Sequence, residues 1–453
     1  MSDTKRSSWG SSATFILAAV GSAVGLGNAW RFPNLAAKHG GGAFLLVYII
    51  AMLIIGIPLL MMEISIGRKM RSGAPGALRK MNKKFEPIGW AATTNAFVIV
   101  TYYAVVFAWV IMMVIFSFKF VNMTGDNQAA SSLWANLIKT TGTLEGFGTF
   151  SVPVIICMII AWGLIYYCIR NGTSSVGKII KYLVFLPVLC LGFMAIKGAT
   201  MTGAVDGLKA FFIPNFSALA NPMLWVDAVG QVFYSMSVMM AIMIAYGSFL
   251  DDSSNIARDG LIIAFSDLAV SLLAGVVMFT TMYGTNMQDV LAQKAGPGLA
   301  FIVYPTAIVN LSNSGIFNAF FSFVFYFCLC TLAIDSAFSL VEGISTAFSD
   351  KFGLNKKKTT IAVCIIAGVI SLIYTSGAGL AVLDIVDNWC NSFTLILIGV
   401  LETVAIGWFF KTGKVVKEIN RNSKTFKMPK IWFDAAVKVI APLALGTLFV
   451  WNI

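Results

Sequence analysis

An all-α polytopic membrane protein with eleven transmembrane helices is the fold class this sequence predicts, and three observations carry it. Hydrophobic residues make up 58% of the 453 and charged ones only 11%, against about 25% charged in a soluble domain. Uncharged stretches at 42–62, 88–118, 146–169, 228–250, 295–334 and 359–383 each reach the roughly 20 residues that a helix needs to cross a bilayer. A transmembrane β-barrel is excluded, because its strands alternate every second residue and span only about ten. Two helices carry interruptions in corresponding places of the two halves of the chain, and paired interruptions of this kind predict a five-plus-five inverted repeat with broken helices 1 and 6.

The helices are placed at about 11–36, 41–68, 88–120, 150–170, 176–197, 223–250, 256–282, 316–349, 358–376, 381–411 and 432–452. Residues 1–10 precede them as an N-terminal latch. Helices 1 to 5 (11–197) form the first repeat and helices 6 to 10 (223–411) the second. An external loop at 198–222 joins the repeats, and a basic loop at 412–431 leads to the last helix at 432–453. Helix 1 contains Gly21, Gly25 and Gly27 at mid-span, each costing about 1 kcal/mol relative to Ala in a continuous helix. Close helix packing through small residues is the alternative to a break there. Helix 5 contains Gly177 and Pro187, consistent with an end that unwinds or with an ordinary proline kink. Helix 6 offers Phe233-Tyr234-Ser235-Met236-Ser237 as the partner interruption. Of the two longer external connections, 121–149 and 283–315, the second holds an apolar run at 299–309 too short to cross, so it is expected to fold back as a re-entrant or capping element.

Charge sets the orientation. Of 32 Lys and Arg, 24 fall before helix 1, between Arg68 and Lys84, between Arg170 and Lys181, at Arg258, between Lys351 and Lys358 and between Lys411 and Lys430, all on one side of the predicted helices. The positive-inside rule puts that side, with the N-terminus, in the cytoplasm and the C-terminus outside. The net charge of +12 therefore points to a lipid bilayer and not to nucleic acid, since the basic residues flank apolar spans. The seven cysteines have no paired metal or redox spacing and read as packing residues, and the lone His39 reads as solvated. No nucleophile with a partnering base, metal cluster or phosphate-binding loop appears, so the chain is not expected to be an enzyme.

Seven ionisable residues fall well inside apolar segments: Arg31, Glu63, Asp267, Asp335, Glu342, Asp387 and Glu402. Each costs at least about 2.5–3.5 kcal/mol at the helix centre and must face another charge, an ion or water. Polar glue between helices explains any one of them, but the excess of carboxylates invites a cation. Asp267, Asp335 and broken-helix carbonyls are hard oxygen ligands, suited to Na⁺. A half-helix N-terminus suits a substrate carboxylate, and unwound carbonyls suit Na⁺ or an ammonium.

At these residues the sequence resembles the neurotransmitter:sodium symporter family, with its LeuT-like fold. The resemblance runs from Lys5 to the last helix. It rests on 21–28 continuing into Trp30-Arg31-Phe32-Pro33-Asn34, on Gly40-Gly41-Gly42-Ala43-Phe44, on Gly56-Ile57-Pro58-Leu59 with Glu63, on Gly230-Gln231-Val232-Phe233 and on Asp335-Ser336. Eleven helices match its bacterial branch, although most members have a twelfth. The resemblance implies Na⁺-coupled import of hydrophobic L-amino acids, aliphatic and aromatic, across a bacterial inner membrane by alternating access. The rival readings are a proton-coupled carrier of related fold and an ion channel or amino-acid sensor.

Two sodium sites are implied: a first from Ala23, Asn28, Ser235 and Asp267, and a second from Gly21, Val24, Leu332, Asp335 and Ser336. No chloride is implied, because Asp267 supplies a negative charge although Ser271 stands where chloride-independent relatives carry a glutamate. By the same resemblance the substrate carboxylate meets Leu26, Gly27 and Tyr103. Its ammonium meets Ala23, Tyr234, Ser235 and Ser237, with Ser22 and Gly25 beside them. Gly25 replaces the aspartate of monoamine transporters, so the substrate brings its own carboxylate. Ile99, Phe233, Met236, Met240, Ser336 and Leu340 surround the substrate side chain. Arg31 with Asp387 would form an outer gate closing above Tyr103 and Phe233, and Arg6 with Asp350 an inner latch near Trp9. Glu63 would accept hydrogen bonds from unwound helix 6.

Overall fold

A computed structural model describes residues 8–294 and 296–451. Among these the chain is helical, with isolated bridges at Gly41 with Pro214 and Phe150 with Ser376 and no strands. Among the described residues, nine helices are long and apolar enough to cross a membrane. We label the main helical segments in order: α1 (Ser12–Ala23 continued by Gly27–Lys38), α2 (Gly42–Met70), α3 (Lys83–Asn122), α4 (Val152–Ile169), α5 (Thr173–Ala199), α6 (Pro222–Ser235 continued by Ile242–Ser248), α7 (Ile256–Gly284), α8 (Gly315–Phe352), α9 (Lys356–Thr375), α10 (Gly379–Phe409) and α11 (Lys430–Trp451). The halves of α1 bend by 50° and make a tenth span when taken together. Those of α6 are 14 and 7 residues long, each too short to cross alone.

Local chemistry sets the ends. Ser151, Asn255, Ser314 and Asn355 cap α4, α7, α8 and α9 by accepting from the amides of Val154, Arg258, Phe317 and Lys358, which satisfies one of the orphan donors at each N-terminus. α8 stops at Gly353 with φ +64°, a left-handed position that glycine adopts without steric cost. The run at 299–309 is a short apolar helix within Gly296–Ile308. It folds back on the bundle, Phe301 packing against Trp30, Trp109, Trp134 and Tyr326.

The two breaks lie side by side and differ in kind. α1 opens at Val24, whose ψ of 95° leaves the helical region, and resumes in wide turns at Gly27. α6 opens over 236–241 without a glycine: Ser237, Met239 and Ala241 hold φ of +52°, +64° and +61°. Such backbone costs of order 1–3 kcal/mol per residue and persists only when the surroundings hold it. Here buried Glu63 accepts the Met239 amide at 2.7 Å, and the Ser237 hydroxyl donates to the Ser22 carbonyl at 2.8 Å, joining one break to the other.

Candidate functional site

A central cavity lies where the breaks meet. Ser22, Ala23, Gly25, Leu26, Gly27 and Asn28 of α1 line it, with Tyr234, Ser235, Ser237, Met240 and Ile242 of α6, Ile99 and Tyr103 of α3, and Ser336 and Leu340 of α8. α1 comes this close because it carries glycines. A Cβ on Gly25 would stand 2.6 Å from Ser336 Oγ, and one on Gly27 2.6 Å from the Tyr234 ring. The Tyr103 hydroxyl is buried near Ser336 and the Leu26 backbone without a well-aligned hydrogen bond, and Ser22 Oγ is buried without one too. Such groups cost about 1–3 kcal/mol each when left unpaired. The polar end of the cavity thus holds hydroxyls and the bare backbone of a helix N-terminus, and Ile99, Met240, Ile242 and Leu340 form an apolar end.

Two of the expected lining residues lie elsewhere. Phe233 faces an outer vestibule with Arg31, Asp227 and Asn391, and its neighbour Tyr234 takes the aromatic place over the cavity. Consecutive helical positions differ by about 100°, so a shift of one residue moves the ring from one space to the other. Met236 turns away toward α2, where its Sδ stands 2.7 Å from the position a Cβ on Gly56 would take. Ile242 joins the lining instead, brought in by the left-handed turn at Ala241.

Asp267 of α7 is fully buried beside this cavity. It accepts from Ser235 Oγ at 2.7 Å, Asn28 Nδ2 at 2.7 Å and Tyr48 Oη at 3.1 Å. Asn28 Nδ2 has two protons but meets three acceptors, adding Ser235 Oγ at 3.0 Å and Ser271 Oγ at 2.8 Å. Asn28 Oδ1 accepts the Gly25 amide at 2.9 Å, which fixes the amide orientation and turns Nδ2 toward Asp267. Asn28 and Ser235 therefore stand together at Asp267, and Ala23 lines the adjoining cavity with them. Tyr48 was hidden from the sequence reading inside an apolar run.

A second carboxylate is lonelier. Asp335 on α8 is buried, and its Oδ1 has no hydrogen-bond partner. A Cβ on Gly21 would lie 2.5 Å from its Oδ2, so α1 crosses α8 at this point. The helix ending at Ala23 leaves its last carbonyls without intrahelical donors, and Gly21 and Val24 belong to that end. Leu332 lies one turn before Asp335, and Ser336 follows it, donating to the Ser22 carbonyl at 3.4 Å. A buried carboxylate with an unpaired oxygen beside open helix-end carbonyls is chemistry that a hard monovalent cation satisfies. Among the described residues no group of three or more His, Cys, Asp or Glu forms a metal cluster.

The expected outer gate is assembled differently. The Arg31 guanidinium lies over the Tyr234 ring, 5.1 Å from its centroid, and no ion pair within 4.0 Å joins it to Asp387. Asp387 instead accepts from Tyr102 Oη at 2.7 Å and Asn391 Nδ2 at 2.8 Å, neutral donors that hold it on α10. At the other end Arg6 lies outside the described residues. Asp350 accepts the Gly73 amide at 2.7 Å, and buried Trp9 donates from Nε1 to the Tyr246 carbonyl at 3.0 Å, plugging the bundle beneath the second half of α6. His39, expected in solvent, is buried, with Nε2 2.6 Å from Asp227 Oδ2.

Known proteins place this architecture. A crystal structure of MhsT in complex with L-phenylalanine superposes with a TM-score of 0.84 at 27% identity, covering 99% of this chain and all of that one. An uncharacterised sodium-dependent transporter of Methanocaldococcus jannaschii is 35% identical over 98% of this chain and 90% of its own length. The mouse sodium-dependent neutral amino acid transporter B(0)AT3 is 27% identical over 99% of this chain and 84% of its own. The sodium:neurotransmitter symporter family matches residues 6–124 and 119–453. With its two broken helices, its buried carboxylates and a match over nearly its whole length, this chain belongs to the sodium:neurotransmitter symporter family, a family of sodium-dependent membrane transporters.

Proposed function

We propose that this protein imports hydrophobic L-α-amino acids into the cell together with two Na⁺ and without chloride, by alternating access. The observation that carries the reading is Gly25 in the α1 break, whose missing Cβ leaves the cavity without an acidic side chain at the place facing Ser336. A substrate held there must supply its own negative charge. The amides of Leu26 and Gly27 at a helix N-terminus, with the buried Tyr103 hydroxyl beside them, suit a carboxylate. Carbonyls of Ala23, Tyr234 and Ser235 with the Ser237 hydroxyl suit the ammonium. Ile99, Met240, Ile242 and Leu340 leave room only for apolar side chains, and methionine adapts to aliphatic or aromatic shapes.

In this reading the substrate carboxylate and Asp267 share the first ion, so that amino acid and Na⁺ strengthen each other. The second ion ties α1 to α8 through Asp335 and holds the inner side shut. Its loss frees the segment around Trp9 and lets the end of α5 before Pro187 open. The Asp267 carboxylate accepts from the hydroxyls of Tyr48 and Ser235, with Ser271 linked to it through Asn28, and there it supplies the negative charge that chloride would bring. The basic side faces the cytoplasm, with the N-terminus inside and the C-terminus out. Uptake of labelled L-phenylalanine and L-leucine into proteoliposomes tests this. A Na⁺ gradient drives both, chloride replacement by gluconate leaves both unchanged, and Asp335→Ala abolishes both. Uptake driven by a pH gradient with no Na⁺ requirement would transfer the reading to a proton-coupled carrier.

A further inference from the structure

Outside the central site, an apolar hollow lies on the lipid-facing side of the bundle between α4 and α9. Its walls are Ile155, Ile159, Trp162 and Tyr166 on α4, with Ile365 and Val369 on α9, enclosing about 530 Å³. Ile159, Ile365 and Val369 are each more than half exposed, so no other described residue covers them. At the floor, among the described residues, a Cβ on Gly368 would meet nothing nearer than the Trp162 ring at 3.6 Å. From Ile155 to Tyr166 the groove runs about 17 Å at 1.5 Å per residue, close to the roughly 15 Å depth of one leaflet of hydrocarbon.

One end of this groove is charged. Where it stops, at Tyr166 and Ile361, a polar vestibule begins at Ile169 and Thr360 and includes Arg170, Glu342, Asp350, Lys356 and Lys357. Its two acids are engaged. Glu342 pairs with Lys356 at 3.1 Å and Asp350 accepts the Gly73 amide. Among the described residues Arg170, lying 4.3 Å over the Tyr167 ring, and Lys357 have no carboxylate in ion-pair range. Basic side chains at the end of a leaflet-deep apolar groove complement a lipid with one negative head and a long tail. We infer that the α4–α9 groove is a binding site for one anionic phospholipid, its phosphate between Arg170 and Lys357 and an acyl chain along Trp162.

Native mass spectrometry on the full chain, taken from bilayers of equal phosphatidylglycerol and phosphatidylcholine, tests the site. A basic residue near a membrane surface gives roughly a fivefold preference for an anionic lipid. The expected result is one phosphatidylglycerol retained per chain, about 25-fold over phosphatidylcholine. The double variant Arg170→Gln with Lys357→Gln removes that preference, and Gly368→Phe, which fills the floor, removes retention of either lipid. Equal retention of the two lipids by the wild type, or an unchanged phosphatidylglycerol signal in the charge variant, overturns the proposal. Should Gly368→Phe fail to fold, the charge variant alone decides.

Discussion

Tyr103 keeps a buried hydroxyl in the central cavity, near Ser336 and the Leu26 backbone but without a well-aligned hydrogen bond to either. Its removal therefore costs the empty protein little, because no well-aligned hydrogen bond within the fold is lost. A hydrogen bond to a charged ligand group is worth about 1.5–3 kcal/mol, so Tyr103→Phe is expected to weaken L-phenylalanine binding by about 10- to 100-fold and leave the melting temperature of the ligand-free protein unchanged. Equilibrium binding and thermal unfolding on one preparation separate the two, and a matched fall in both would make Tyr103 a packing residue. Asp267 supports a second expectation. Asp267→Asn removes one negative charge while keeping the shape and one acceptor oxygen, leaving a cation among the Tyr48, Ser235 and Ser271 hydroxyls short of a counter-charge. Uptake by this variant should become dependent on chloride. Full uptake in gluconate would show that Asp267 does not supply the compensating charge.

Elements are held where two backbones touch. α2 and the second half of α6 cross on paired glycines: a Cβ on Gly67 would stand 2.1 Å from the Ile244 carbonyl oxygen, and one on Gly247 2.3 Å from that of Ile64. Neither oxygen belongs to a flexible side chain, so Gly247→Ala forces the helices apart, at a cost of about 1–3 kcal/mol that a fall in melting temperature reports. Gly230→Ala is the control, since nothing lies within 4 Å of its Cβ position. The same contrast explains what the sequence made legible. Long uncharged runs exposed the helices, and Gly21, Gly25 and Gly27 exposed the break in α1. The break in α6 is built from Met, Ser, Val and Ala, and its left-handed turns at Ser237, Met239 and Ala241 depend on Glu63 and Ser22, which are distant in sequence. That dependence explains why Phe233 and Met236 were misplaced and Ile242 missed. His39 and Asp387 took their partners from residues 188 and 285 positions away, Asp227 and Tyr102, which no local pattern specifies.

At the scale of the molecule, α1 is the element that both carboxylates address. Asp267 reaches it through Asn28 on one side of the break, and Asp335 lies against Gly21 on the other. An ion at either place favours the arrangement in which the halves of α1 stay near α7 and α8, and an amino acid bound at the break between them favours the same arrangement. Ligands that stabilise one conformation must help each other by equal factors, and such couplings typically amount to about 5- to 150-fold. Saturating Na⁺ should therefore tighten L-phenylalanine binding at least about fivefold, and saturating L-phenylalanine should lower the Na⁺ concentration for half-occupancy in return. Isothermal titrations in both orders measure the two directions. If neither ligand moved the other's affinity, the shared break would be a coincidence of packing, and Na⁺ and amino acid would occupy the bundle independently. A coupling that survives in wild type but vanishes in Asp267→Ala, while Asp335→Ala keeps it and loses only gradient-driven uptake, would assign affinity to the first carboxylate and gating to the second.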